Sequence, residues 1–382
     1  MRAIERTTLR ILSIGGLALI VFGSIGLAQL APVQPGPTPT ESNFFIATPP
    51  GWKQAKTPWG DPDLQGIWPI SYVGTVMLQR CAGGFGPRPA NAPPCDPHKA
   101  FLTATEFDAL QEKAAKQPDR VKEDVKNGEA ARVFRDGVMD VFTPQRQTSL
   151  IMDPPDGKLP EMTPEGKRLA SLMKSSWALP GEKLAFDSYT DFDSWDRCIT
   201  RGLPASMFPF RYNNGLQIVQ APGYVALRME MIHESRIIPL NAPPVSPAIK
   251  EWLGVSRGHW DGNTLVVETT NFKPGASATN TGVMGSPPGN RFPISEQMKM
   301  TERFTRLNND FLIYEITVDD PVVLTHSWTA RFPLKLDNSF QILEYACTED
   351  NNMIPHWIST SRAERAQEAA KEAAAQHEKE QH

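Results

Sequence analysis

The chain is 382 residues long and carries 39 Lys and Arg against 43 Asp and Glu, a formal net charge of −4. The two signs are interspersed and no basic stripe forms, which argues against nucleic acid as a partner. Proline is abundant, at 35 residues where an average chain has roughly 5%, and residues that lack a backbone N–H favour stiff connections and sharply ended elements over a helical bundle.

At the N-terminus Arg2, Arg6 and Arg10 form a basic region ahead of the uncharged run Ile11–Leu27, and Gly26 and Ala28 supply the small residues of a cleavage site. This pattern predicts an export signal over 1–28, cut after Ala28. The run is shorter than the ~20 residues of a usual spanning helix, and a retained anchor is the alternative reading. No cysteine follows it to carry a lipid, and no later segment is apolar enough to cross a bilayer. The expected location is periplasmic or secreted, with no membrane association after cleavage.

Residues 29–60 read as an extended, proline-rich lead-in, and 61–200 as a mixed helical and loop segment. Within it a strand is expected from Ile67 to about Met77. Cys81 and Cys95 flank a glycine-proline loop with little packing capacity, so a local bridge is plausible there, leaving Cys198 and Cys347 to close a long loop. Four cysteines allow three pairings, and four free buried thiols is the alternative that export disfavours. No C-x-x-C occurs to suggest zinc or thioredoxin chemistry. A helix is predicted after Thr103 or Thr105, with Phe107, Leu110 and Ala114 at helical spacing, and another after Thr163-Pro164-Glu165, a cap followed by proline in the first turn. Pro154-Pro155-Asp156-Gly157 marks a turn between them.

From Asn213 the period changes to two. Ala221-Pro222-Gly223, Asp261-Gly262-Asn263 and Asn308-Asn309-Asp310 separate apolar-alternating runs as hairpin turns. About eight short strands are expected over 201–358. The predicted fold is mainly β, an antiparallel up-and-down barrel or a two-sheet sandwich, with peripheral helices from the N-terminal half. Residues 359–382 are rich in Ala, Glu and Lys without an apolar stripe, a solvated helix with partner binding as the alternative.

Six stretches in order, "LIMDPPDGKLPEMTPEG", "DRCITRGLP", "YNNGLQIVQAPGYVALRMEMIHESRIIPL", "WLGVSRGHWDGNTLVVETTNF", "MTERFTRLNNDFLIYEITVDDP" and "YACTEDN", resemble a family of exported bacterial β-rich proteins. The resemblance covers roughly Leu150 to Arg365. It implies a secreted β-rich protein and carries no agreed reaction. Gly66-Ile67-Trp68 and Gly258-His259-Trp260 are similar to the Gly-x-Trp signature of lipocalin-like barrels, which implies a ligand-holding barrel.

Read as one continuous strand, Gly223–Leu240 puts Arg228, Glu230, Ile232, Glu234 and Arg236 on one face and Met229, Met231, His233, Ser235 and Ile237 on the other. The bland reading is a solvated charge ladder with a core histidine; the functional one is a cavity in which His233 moves protons. Glu268, Glu302 and Glu315 share faces with large apolar residues, where a carboxylate is costly unless paired. The expected catalytic set is His233 for proton transfer, Glu230 or Glu268 to orient it, and Arg236 to stabilise negative charge. Met229, Met231, Arg228, Glu302, Glu315 and Trp260 are the expected ligand contacts. The histidines are scattered and no H-E-x-x-H, P-loop or G-x-G-x-x-G occurs, so neither metal nor cofactor is expected, a metal site assembled from distant strands being the alternative. Ala278–Pro293 is a candidate lid, with a disordered loop as the alternative. The leading expectation is an exported protein holding a small, partly apolar molecule in a barrel. An acid–base lyase, isomerase or hydrolase at the same cavity is the alternative, and a structural or interaction protein the third.

Overall fold

The computed structural model describes residues 40–82, 94–117, 123, 126–128, 143–176, 181–210, 212–273, 292–349 and 351–380. The expected export signal, and the expected lid apart from Phe292 and Pro293, lie outside these residues.

Ten strands are described: β1 (Gly66–Ile67), β2 (Ile151–Asp153), β3 (Leu216–Ala221), β4 (Tyr224–Met229), β5 (Ser235–Pro239), β6 (Val255–Asp261), β7 (Thr264–Thr270), β8 (Lys299–Arg306), β9 (Phe311–Asp319) and β10 (Trp328–Lys335). They form two antiparallel sheets, β1-β3-β4-β5 and β2-β10-β9-β8-β7-β6. Turn chemistry fixes the registers. Ala221 pairs with Tyr224 across Pro222-Gly223, with Gly223 at φ +79°, and Asp261 pairs with Thr264 across Gly262-Asn263, with Gly262 at φ +59°. Only glycine takes these left-handed angles without a steric cost. At the third turn Asn308 Oδ1 accepts both the Asp310 and the Phe311 amides at 2.9 Å, a side chain mimicking a backbone turn.

Alternation then decides what is buried. Met300, Glu302 and Phe304 of β8, Leu312, Tyr314, Ile316 and Val318 of β9, and Trp328, Ala330, Phe332 and Leu334 of β10 all point inward. They share one core with Leu216, Ile218, Val225, Leu227 and Met229 of the smaller sheet and with Trp68, Leu150 and Phe208. Of the expected barrel or two-sheet sandwich, the barrel is corrected by this arrangement. The two sheets are not closed into a barrel; among the described residues the parallel bridge Leu240–Gly258 links the end of one to β6 of the other, and the space between them is filled by aliphatic and aromatic side chains. A small cavity of about 10 Å³ beside Trp328 and Met298 has room for no more than one water-sized molecule.

Two predicted strands are shorter than expected. After β1 the chain turns through Ile70–Val73 because Pro69, at φ −59°, carries no N–H for a ladder. The long strand Gly223–Leu240 breaks at Glu230. Met231–His233 form a 3₁₀ turn, with Ile232 at φ 58° and His233 at φ 51°.

Three α-helices are described. In α1 (Ala104–Ala115) Thr103 rather than Thr105 is the cap, in a capping box with Glu106. In α2 (Pro164–Leu172) Thr163 Oγ1 accepts the Gly166 amide at 3.0 Å. The expected tail helix starts earlier, as α3 (Met353–Glu380). It is held where Trp357 meets Phe186 edge to face at 5.4 Å and Arg365 Nη2 reaches Asp187 Oδ1 at 2.5 Å. No described helix is long and apolar enough to cross a membrane.

Helix α2 lies so close to the loop after β9 that a Cβ on Gly166 would sit 2.3 Å from the Val323 carbonyl oxygen. In an open helix Gly→Ala gains up to ~1 kcal/mol. Here Gly166→Ala is expected to lose about 1–3 kcal/mol through overpacking, read as a lower urea midpoint.

Candidate functional site

The break at Glu230 decides where the charged residues of the Gly223–Leu240 stretch go. Glu230 is buried, and its carboxylate accepts the Gly215 amide at 2.8 Å, the Leu343 amide at 2.9 Å and Asn213 Nδ2 at 3.2 Å. It ties two loops together. His233 is exposed, and its Nε2 accepts the Tyr345 amide at 2.8 Å. Met229 belongs to the main core and Met231 to a separate cluster with Trp195 and Phe210. His233 therefore lines no methionine cavity, and the expected team of His233, Glu230, Arg236 and Glu268 is not assembled.

The other expected positions separate as well. Glu268 is exposed beside Arg257 at 3.5 Å, and Glu315 is half-buried beside Arg331 at 3.3 Å. Both lie on the outer face, where such pairs are worth at most about 1 kcal/mol. Arg228 is exposed on β4, while Trp260 is half-buried against the main core. Only Arg236 and Glu302 meet. Arg236 Nη1 and Nη2 donate to the two Glu302 oxygens at 2.9 and 2.5 Å, and Nη2 also reaches Ser256 Oγ and Thr269 Oγ1. Tyr314 donates its hydroxyl to Glu302 Oε1 at 2.8 Å. Burial pulls the Arg236 guanidinium down, but the facing carboxylate outweighs it and the net shift is upward. Burial, then the Glu302 charge, push the Tyr314 phenol well above its ordinary range.

Next along the chain, Glu234 makes a second buried charge centre. Its Oε1 accepts the Thr200 hydroxyl and, at 3.1 Å, the Arg201 amide; its Oε2 accepts the Ser206 hydroxyl at 2.5 Å. Burial raises its pKa above the ordinary carboxylate value, against those hydrogen bonds and the Arg201 charge.

Glu234 and Arg236 both open onto a groove of about 720 Å³, within the size range of small-molecule sites. Ile199 and Thr200 form one wall, the outer face of β5 with Ile237 another, and the 250–256 segment with Trp252 and Lys273 the third. Lys273 Nζ stands 4.4 Å from the Trp252 ring centroid. Gly254 supports this wall at φ +66°, where a Cβ would meet the Thr270 carbonyl at 2.7 Å. Sequence reasoning missed Thr200, Ser206, Glu234 and Trp252 as site residues.

Both disulfides join the expected partners, Cys81–Cys95 and Cys198–Cys347. Ahead of Cys198, Asp193 is buried, accepting the Trp195 and Asp196 amides and the Ser175 hydroxyl at 2.8–2.9 Å. Burial and then Asp196 push its pKa up to about 6. A folded-state pKa above the unfolded ~3.9 means that the native state holds more protons between those values. Stability from this group is therefore present below pH 4 and lost as pH rises to about 6. Asp193→Asn is expected to flatten that fall in urea titrations between pH 4 and 6.

Among the described residues no three His, Cys, Asp or Glu side chains gather as a metal site. Comparison with protein-family models, curated proteins and solved structures finds no match.

Proposed function

We propose that this is an exported protein that binds a small, partly apolar molecule in the open groove beside β5. The observation that carries this reading is the groove's composition. Ile237 is 61% exposed, Ile199 48% and Trp252 39%, and these apolar surfaces lead to a floor of two buried charged groups, Glu234 and Arg236. An apolar wall with a few converging polar groups is the usual build of a ligand site. The two disulfides support export, as such bonds persist in oxidising compartments, and the resemblance to exported β-rich proteins agrees with it.

The test is a thermal-shift screen of amphiphilic small molecules, with hits followed by calorimetry. Trp252→Ala and Ile237→Asp are expected to weaken binding at least ten-fold, while Tyr224→Ala, on the same sheet face outside the groove, leaves it unchanged. Hits that bind both groove variants as well as wild type sink the reading.

A catalytic reading is favoured by one observation, the buried, upward-shifted Glu234 at the groove floor. Glu234 rather than His233 is then the proton-transfer group. Turnover of a hit, lost in Glu234→Gln while binding persists, supports an enzyme; no turnover by wild type leaves a binding protein.

A further inference from the structure

Among the described residues three arginines are buried to 5% exposure or less, Arg80, Arg201 and Arg236, and their hydrogen bonding differs. Arg80 donates through all three nitrogens, to Thr148, Ser149 and the Pro97 and Pro155 carbonyls. Arg236 faces a carboxylate with both terminal nitrogens, and only its Nε lacks a partner. Arg201 donates only Nη1, to the Phe208 carbonyl at 3.1 Å, while Nε and Nη2 are buried without a partner. Glu234 is close enough to act on it electrostatically, yet meets its backbone amide rather than its guanidinium. Burial lowers the Arg201 pKa to about 10, against the Glu234 charge.

Nε and Nη2 form one edge of the guanidinium, a planar two-pronged donor that matches a carboxylate. Around it stand rings. The guanidinium carbon lies 5.1 Å from the Phe210 centroid and 5.5 Å from that of Trp195, and those two rings meet edge to face at 4.8 Å. Met231, Ile232 and Tyr345 complete this cluster, apart from the main core. We infer that the free edge of Arg201 is the recognition point for the carboxylate of a small aromatic acid, whose ring would pack against Trp195 and Phe210. The site is distinct from the groove, to which the neighbouring Thr200 gives a wall and Glu234 part of the floor.

Met231 and Ile232 reach the cluster from the Met231–His233 turn, in which Ile232 takes a left-handed angle that a β-branched residue rarely adopts. His233 Nε2 accepting the Tyr345 amide joins that turn to the segment ahead of Cys347.

The probe is benzoate, with benzamide as its uncharged counterpart, added to the full chain labelled with ¹⁵N-arginine. Benzoate is expected to move the Arg201 Nε–H signal saturably and to bind at least ten-fold more tightly than benzamide. Arg201→Gln removes that preference, and Trp252→Ala, which disables the groove, preserves it. No saturable binding, equal binding of benzamide, an unmoved Arg201 signal, or loss of benzoate in Trp252→Ala each overturns the inference. Should Arg201→Gln fail to fold, the wild-type Nε–H signal and the benzamide comparison decide the matter.

Discussion

Glu302→Ala is expected to destabilise the protein by about 3–5 kcal/mol, the cost of leaving one buried charge without its partner. Glu302 is wholly buried and Arg236 nearly so, and the substitution also strips Tyr314 of its acceptor. The pair itself contributes far less than this loss, because both ions had to leave water. Arg236→Met with Glu302→Leu removes both charges at similar volume, and such replacements are often neutral or stabilising. The double variant is therefore expected to recover most of the loss, though Ser256 and Thr269 lose a donor each and keep one another at 2.9 Å. Urea unfolding with the disulfides intact reads both effects as midpoint shifts at constant slope. Arg236 also touches the groove. A loss below about 1 kcal/mol in Glu302→Ala, under the range expected for a broken buried pair, would mean that the guanidinium swings out to solvent through it.

Much of the fold was legible because it is written in local chemistry. Pro222-Gly223, Gly262-Asn263 and the Asn308 turn each specify a two-strand register by themselves. Alternation in β8 correctly put Glu302 on one face with Met300 and Phe304, the inner one, but in β9 the expected contact Glu315 lies on the outer face and Tyr314 points inward. Alternation says which face a residue occupies, but closure depends on how sheet edges meet, and no local pattern encodes that. The barrel expectation failed there. The break at Glu230 was invisible for a related reason. Ile232 and His233 have ordinary strand propensities, and their left-handed angles come from tertiary contacts, chiefly Glu230 holding the 215 and 343 backbones. Side-chain period is two, so a break of this kind changes which residues downstream face inward. Arg236 and Ile238 turn in while Ile237 turns out, so Glu234 and Arg236 of the expected charged face became the floor of a groove and Ile237 of the expected apolar face one of its walls. The partners of Glu234 come from the irregular 200–206 segment, which has no periodicity to read.

Removing the Cys198–Cys347 bridge by a double serine substitution is expected to cost about 5 kcal/mol, since in the chain-entropy model the loss grows with the logarithm of the closed loop. The bridge spans 149 residues and encloses every strand from β3 to β10, whereas Cys81–Cys95 spans 14, for which the same model gives about 3 kcal/mol. The long bridge should therefore rank first. The difference has a second signature, because a denatured chain freed of a long cross-link expands and exposes more surface, steepening the denaturant dependence. Removing the short bridge leaves that slope nearly unchanged. Equal losses for the two variants, with equal slopes, would mean that the unfolded chain already holds its ends together through residual contacts. In that case the bridge stabilises mainly by local packing, where Cys198 precedes the Ile199–Thr200 wall and the buried Arg201 and Cys347 follows Tyr345, and Arg201 Nε–H should then change in the variant even under native conditions.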